Sequence, residues 1–322
     1  MRSYGISDGK GMSQEIMDNH LMFEHVIKVN SVDIAYQLHG NPSHPTLLLI
    51  HGLSTPLTGW PSEMVDELVA ANFQILLVDN RDVGRSQQLD HLPIPNMGWV
   101  ITKLKLGLSI KTPYQLEDMM RDIIALLDAL KLSEVHVVGA SMGGMIAQLM
   151  AVHYPQKIKT LTSIMSTTGY KQLPGIDKNI RQTLLQKPAS KEYKDQIHYH
   201  IRKWQVIGSP DYPSSETDLR QYVESMLQRG ITTKGTIRQM LAIMAAGNRE
   251  GELSKLNVPS LVIHGDCDGL VNVAGGKATA DAIPNAKLKI YPGMGHDLPV
   301  QLIPKIVDDI VTHVNKNNGE RA

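Results

Sequence analysis

Beyond Thr46 the chain alternates between two hydrophobic patterns. The runs Leu47-Leu48-Leu49-Ile50, Ile75-Leu76-Leu77-Val78 and Val135-His136-Val137-Val138 stop at His51-Gly52, Asp79 and Gly139. Similar short runs fall at 161–165, 261–263 and 288–291. Near-continuous apolar runs of this length predict strands buried on both faces. Between them, Leu116, Met119, Met120, Ile123, Ile124 and Leu127 recur at helical spacing, as do Met145, Ile146, Leu149 and Met150 before Pro155. Ahead of this region, 25–39 alternates loosely about Asn30 and Ser31, which predicts a β-hairpin. Strands that alternate with helices predict an α/β fold with a mostly parallel central sheet, covered by helices on both faces.

The alternation breaks at 166–257, a polar stretch that reads as helices and loops. Leu219, Tyr222, Val223, Met226 and Leu227 mark one amphipathic helix there, and Ile237, Leu241 and Met244 mark a second that ends at Gly247. The expected organisation is a core at 23–165 and 258–322, with a helical lid at 166–257 inserted between sheet strands. Residues 1–22 are polar and lack the apolar centre of a signal peptide; they read as a mobile leader, with Met12 as a second candidate start.

Composition narrows the function classes. Lys plus Arg and Asp plus Glu each total 32, so the formal charge is zero, which argues against a nucleic-acid partner. No run of about 18 apolar residues is present, so no membrane-spanning helix and no membrane partner are expected. The single cysteine, Cys267, excludes an intrachain disulfide and fits a cytoplasmic setting. Assembly into a homo-oligomer is left open.

Four motifs carry chemistry, each following an expected strand. Gly139-Ala140-Ser141-Met142-Gly143 is a G-x-S-x-G pattern, weak alone, but here it sits between a buried strand and an apolar helix. That is the setting of a nucleophile elbow, which puts Ser141 on a tight turn. His51-Gly52-Leu53 follows the first buried strand, with His51 read as fixing the loop. The backbone N–H groups of Leu53 and Met142 are the candidate oxyanion hole. His264-Gly265-Asp266-Cys267-Asp268 offers two carboxylates, either of which could orient a histidine. Gly293-Met294-Gly295-His296-Asp297 offers His296 as the base. The chain order Ser, Asp, His and the strand-end positions point to acyl transfer through a serine nucleophile.

On these motifs the chain resembles the α/β-hydrolase superfamily over 24–314, apart from the lid. The resemblance implies that the acid of a G-x-x-D loop is Asp268 rather than Asp266. The segment Asp79-Asn80-Arg81-Asp82-Val83-Gly84-Arg85-Ser86 is similar to a D-x-R-x-x-G-x-S loop of the family. Many relatives carry Gly at the position of Asp82, and the Arg-Asp form resembles a subgroup that includes the aclacinomycin-type methylesterases. Arg81 and Asp82 are expected to be a structural loop pair.

The reading that follows is a serine hydrolase of a small-molecule carboxylic ester, needing no cofactor and no metal. Serine at the elbow argues against the carboxylate-nucleophile dehalogenases and epoxide hydrolases. His198 and His200 are two apart and point to different helix faces, a poor metal pair. Met226, Met240, Met244, Trp204 and Tyr170 are candidates for the substrate pocket. Thioester, lactone or carbon–carbon bond hydrolysis and proline iminopeptidase activity would use the same triad. A ligand-binding module that kept the fold without turnover would have no need of all three residues.

Overall fold

The computed structural model describes residues 24–318; the leader expected at 1–22 lies outside them. Strands β1 (Glu24–Val29) and β2 (Val32–His39) form an antiparallel hairpin. Its turn residues, Asn30 and Ser31, have φ of 48° and 65°. Two consecutive positive φ values match the right-handed twist of the flanking strands. There follow β3 (Thr46–Ile50), β4 (Gln74–Val78), β5 (Val135–Ala140), β6 (Ile158–Ile164), β7 (Ser260–Gly265) and β8 (Lys287–Tyr291). The sheet order is β1-β2-β4-β3-β5-β6-β7-β8. β2 pairs antiparallel with β4, and every pairing from β4 to β8 is parallel.

The two-sided burial read from the apolar runs has a direct counterpart. In β3, Leu48 and Ile50 enter one core cluster while Leu47 and Leu49 enter the other. Leu76 and Val78 of β4 follow the first pair, Ile75 and Leu77 the second. This is the period-two alternation of a strand covered on both faces. Helices α1 (Ser62–Ala70) and α11 (Ile303–Asn318) contribute to the second cluster. On the other face lie α3 (Leu116–Ala129) and α4 (Met142–His153), with α2 (Met97–Lys105) preceding them in the chain.

Five helices lie between β6 and β7: α5 (Lys178–Leu184), α6 (Tyr193–Ile207), α7 (Glu216–Gly230), α8 (Thr233–Ala245) and α9 (Glu250–Leu253). Helix α10 (Val273–Ala282) then joins β7 to β8. Ile197 and Ile201 of α6 pack on Leu219, Val223 and Met226 of α7, a small cluster of their own.

Helices α7 and α8 are tied to the sheet by buried ion pairs. The Arg229 side chain donates from Nε to Asp79 at 2.9 Å and from Nη1 to Glu24 at 2.7 Å. Arg238, fully buried, binds both oxygens of Asp82 at 2.8 and 2.7 Å. Arg81 instead binds both oxygens of Asp122 on α3, each at 2.6 Å. Arg81 and Asp82 are therefore structural, but they do not pair with each other as expected. Adjacent residues in this turn face different neighbours, and each meets an opposite charge far along the chain. Asp82 has φ of 68°, a conformation that glycine adopts without strain; here the strain accompanies a bidentate grip on Arg238.

Burial also lowers three histidine pKa values, His51 to about 3 and His200 and His313 to about 4, from an ordinary 6.5. Below pH 6.5 the unfolded chain takes up protons at these sites that the folded chain refuses until about pH 4 at His200 and His313 and about pH 3 at His51. Their contribution is thus complete above pH 6.5 and falls away as the pH drops through 6.5 towards 4. We expect the urea midpoint to fall less between pH 7 and pH 5 in a His200→Gln/His313→Gln variant than in wild type.

Candidate active site

The site is built where strand ends meet. β5 runs into Ser141, whose φ of 54° and ψ of −119° are rarely adopted by an L-residue. The turn closes because neighbouring backbones approach it: a Cβ at Gly143 would lie 2.0 Å from the Ile50 carbonyl oxygen. α4 begins at Met142, directly after the serine. The conformation is held by the Ser141 N–H donating to Ile164 O at 2.9 Å and by Ser166 Oγ donating to Ser141 O at 2.8 Å.

His296 Nε2 lies 3.0 Å from Ser141 Oγ, and His296 Nδ1 lies 2.7 Å from Asp268 Oδ2. The three residues are 155 and 28 positions apart in sequence along this chain of contacts. Asp268 Oδ1 accepts from the Leu270 and Val271 N–H groups at 2.9 and 2.8 Å. His264 adds a second imidazole, its Nε2 2.8 Å from Val271 O and 3.3 Å from Asp268 Oδ2. Burial raises the pKa of Asp268, but the charge of His296 and the hydrogen bonds from His264 and His296 outweigh it. The carboxyl stays well below the usual carboxylate range and accepts only. A carboxylate at Nδ1 puts the proton there and leaves the Nε2 lone pair facing Ser141. Asp266 serves a different end: its Oδ1 accepts from the Gly293 N–H at 2.7 Å, bracing the loop that carries His296.

That loop is held from the far side as well. The His296 N–H donates to Ile207 O at 2.7 Å, and the Gly295 N–H donates to Ser209 Oγ at 2.9 Å. Ser209 Oγ in turn donates to Asp297. Nothing in the sequence marks Ser209, which lies 86 residues from Gly295.

Opposite, the loop after β3 runs beside the serine. A Cβ at Gly52 would lie 3.0 Å from Ser141 Cβ and 3.4 Å from its Oγ, a tight contact that glycine avoids. Among the described residues, neither the Leu53 nor the Met142 N–H is taken up by a hydrogen bond. His51 accepts from the Gly52 N–H at Nδ1 (2.7 Å) and reaches Gly59 O from Nε2 at 3.2 Å. Its depressed pKa keeps it neutral, as accepting at Nδ1 requires. Ser54, at φ 56°, donates its N–H to Gln239 Oε1 at 2.7 Å, while its hydroxyl meets Thr236 at 2.6 Å. Gln239 also donates to Arg81 O at 2.7 Å. Helix α8 thereby fixes both loops, a role with no signal in the sequence because its partners lie 185 and 158 residues away.

Ser141 and His296 open into a cavity of about 1990 Å³, lined by the β3 loop and by residues of α5 to α8. Trp204 and Met226 are among its walls, and Trp204 meets Tyr222 edge-on at 5.0 Å. Met240, Met244 and Tyr170 are not. The cavity is reached from α8 by Thr233, Thr236 and Ile237, and the two methionines follow one and two turns further along that helix. Tyr170 is 40% exposed at the surface. His200 lines the cavity while His198 is exposed, so the two face different ways. Among the described residues no three His, Cys, Asp or Glu side chains group as metal ligands would.

Known proteins are similar to this chain over most of its length. It is 26% identical to the rhodomycin D methylesterase DauP of Streptomyces sp. (strain C5), over 85% of this chain and 92% of that protein. It is 27% identical to a 2-hydroxy-6-oxononadienedioate/2-hydroxy-6-oxononatrienedioate hydrolase of Cupriavidus pinatubonensis, over 84% and 88%. Among solved structures, the esterase RhEst1 from Rhodococcus sp. ECU1013 superposes with a TM-score of 0.71 at 19% identity, covering 92% of this chain and 100% of that one. The α/β hydrolase fold family matches residues 45–301, from the strand before the Gly52 loop to just beyond His296. With its sheet order, its serine turn and this match in agreement, the chain belongs to the α/β-hydrolase fold family.

Proposed function

We propose that the protein hydrolyses carboxylic esters, with Ser141 as nucleophile, His296 as general base and Asp268 as the acid that orients it. The observation that carries this reading is the unbroken contact from Ser141 Oγ through His296 to Asp268, at 3.0 and 2.7 Å. His296 Nε2 takes the serine proton as Oγ attacks the carbonyl carbon. The developing oxyanion is met by the Leu53 and Met142 N–H groups. Collapse expels the alcohol, which leaves with the proton from His296. A water molecule, deprotonated by the same imidazole, then releases the acid and regenerates Ser141.

The methylesterase relative supports an ester with a small alcohol, and the cavity supports a bulky acyl part, since small-ligand pockets usually span about 300–1,000 Å³. In this reading α5 to α9 act as the lid, and Trp204 and Met226 contact the acyl group. Carbon–carbon bond hydrolysis, the reaction in the name of the second relative, would use the same three residues and is the competing reading. Proline iminopeptidase activity would need carboxylates placed for a free amine; Glu192, Glu216 and Glu224 lie outside the cavity walls, while Glu63 and Asp218 line them. The test is a p-nitrophenyl ester series of increasing acyl length, followed by methyl esters of polycyclic acids. We expect turnover of the esters, with bulky acyl groups accepted. Failure on every ester would reject the reading in favour of carbon–carbon or thioester substrates.

A further inference from the structure

Outside the site, the segment 97–111 presents apolar side chains to solvent beside a one-sided charge. Trp99 is 62% exposed, Ile101 46%, Leu106 68% and Leu108 54%. These are four of the eleven large apolar side chains exposed among the described residues, within ten positions. Between Asp90 and Glu117 there is no acidic residue, while Lys103, Lys105 and Lys111 fall in the same stretch. A chain of zero net charge therefore carries a local excess of three positive charges here. Among the described residues none of the three lysines pairs with a carboxylate.

The segment is ordered by its own local bonds. Asn96 caps α2 by accepting the Trp99 N–H at 3.1 Å, and Gly107, at φ 71°, ends the helix as the Leu108 N–H donates to Lys103 O at 2.9 Å. Val100 is buried and anchors the inner face. Trp99 and Leu106 are seven residues apart, two turns, and so share one flank; Ile101 and Lys105 share the other. The exposed apolar groups thus leave from both flanks of the helix and from the turn after it, with lysines among them.

We propose that 97–111 docks the protein onto the surface of an anionic lipid bilayer. Tryptophan and leucine enter the boundary between headgroups and acyl chains, and the lysines meet the lipid phosphates. Among the described residues no helix is long and apolar enough to cross a membrane. An interfacial segment lies in the membrane plane and needs no such helix, so the expectation of no membrane partner, which rested on the lack of a span, does not reach it. A lipid surface suits the patch better than a protein groove, since the apolar side chains leave from both flanks of a short helix. Their basic setting selects the charge of the partner.

The test is sedimentation of the full chain with phosphatidylcholine vesicles, with and without phosphatidylglycerol, reading the pelleted fraction and tryptophan emission. We expect pelleting with the anionic vesicles only, a blue shift on binding, and release by salt. Lys103→Gln/Lys105→Gln/Lys111→Gln should weaken binding by about 100-fold, at roughly five-fold per lysine. Trp99→Ser/Leu106→Ser should abolish the blue shift, while soluble-ester turnover and Tm stay at wild-type values in both variants. Absence of pelleting in wild type, equal binding to neutral vesicles, or undiminished binding by the variants would each overturn the proposal. So would a wild-type dimer that ignores vesicles and dissociates in Trp99→Ser/Leu106→Ser, which would make a second copy the occupant.

Discussion

Ser141→Ala should lower kcat on the best ester of the chain-length series by about four to six orders of magnitude, with Tm close to wild type. The side-chain oxygen is the only atom removed, and the turn that holds it rests on backbone bonds to Ile164 and Ser166 that alanine retains. Alanine does inherit the positive φ, so the variant keeps the strain as well as the fold. Residual turnover should remain above the uncatalysed rate, because the proposed oxyanion hole of the Leu53 and Met142 amides is untouched by the substitution. Adding His296→Ala to Ser141→Ala should cost little more, since the two act as one unit. Retention of a tenth of wild-type turnover in Ser141→Ala would remove the serine from the mechanism.

The second large effect is on stability. Arg238→Met should destabilise the fold by about 3–5 kcal/mol, read from urea denaturation, because it leaves the Asp82 carboxylate buried without its partner. That is a large part of the roughly 5–15 kcal/mol that holds an ordinary domain together. The double variant Arg238→Met/Asp82→Gly should recover at least half of the loss. It removes the stranded charge and places glycine at a φ of 68°, where it is unstrained. Additive losses in the double variant would show that the two residues act independently. The same substitution should reach catalysis, because α8 also carries the Gln239 and Thr236 contacts to Ser54. A loosened α8 would lower kcat for esters in the surviving folded fraction.

Local pattern carried much of this protein. The near-continuous apolar runs marked β3, β4 and β5 because a strand covered on both faces has no solvent side on which to place polar residues. The elbow was legible because its requirements are local: small residues around Ser141, a strand before it and an apolar helix after it. The hairpin at Asn30-Ser31 was legible for the same reason. Less regular pieces were not. β6 begins at Ile158, three residues before the apolar run suggests, because Lys157 to Thr160 mixes polar side chains into a strand whose backbone pairs with β5. Helix α5 carries too few apolar positions to stand out from the polar stretch around it, whereas α6 carries Ile197, Ile201 and Trp204 at helical spacing but sets them among charged and polar residues.

Amino-acid order by itself determined the alternation of strands and helices, the tight turn at Ser141 and the set of groups able to perform acyl transfer. Each of these depends on neighbours within about ten positions, where backbone geometry fixes the spacing of side chains. Residue pattern alone left Asp266 and Asp268 open and the family resemblance pointed to Asp268; the tertiary structure supplies the physical reason, with Asp268 turned towards the imidazole and Asp266 turned to the Gly293 amide. It alone decided that Arg81 and Asp82 look to Asp122 and Arg238, and that Met226 faces the cavity while Met240 and Met244 do not. Those choices are made between residues up to 156 positions apart, and the side chain that wins is the one the packed sheet and helices bring within hydrogen-bond reach.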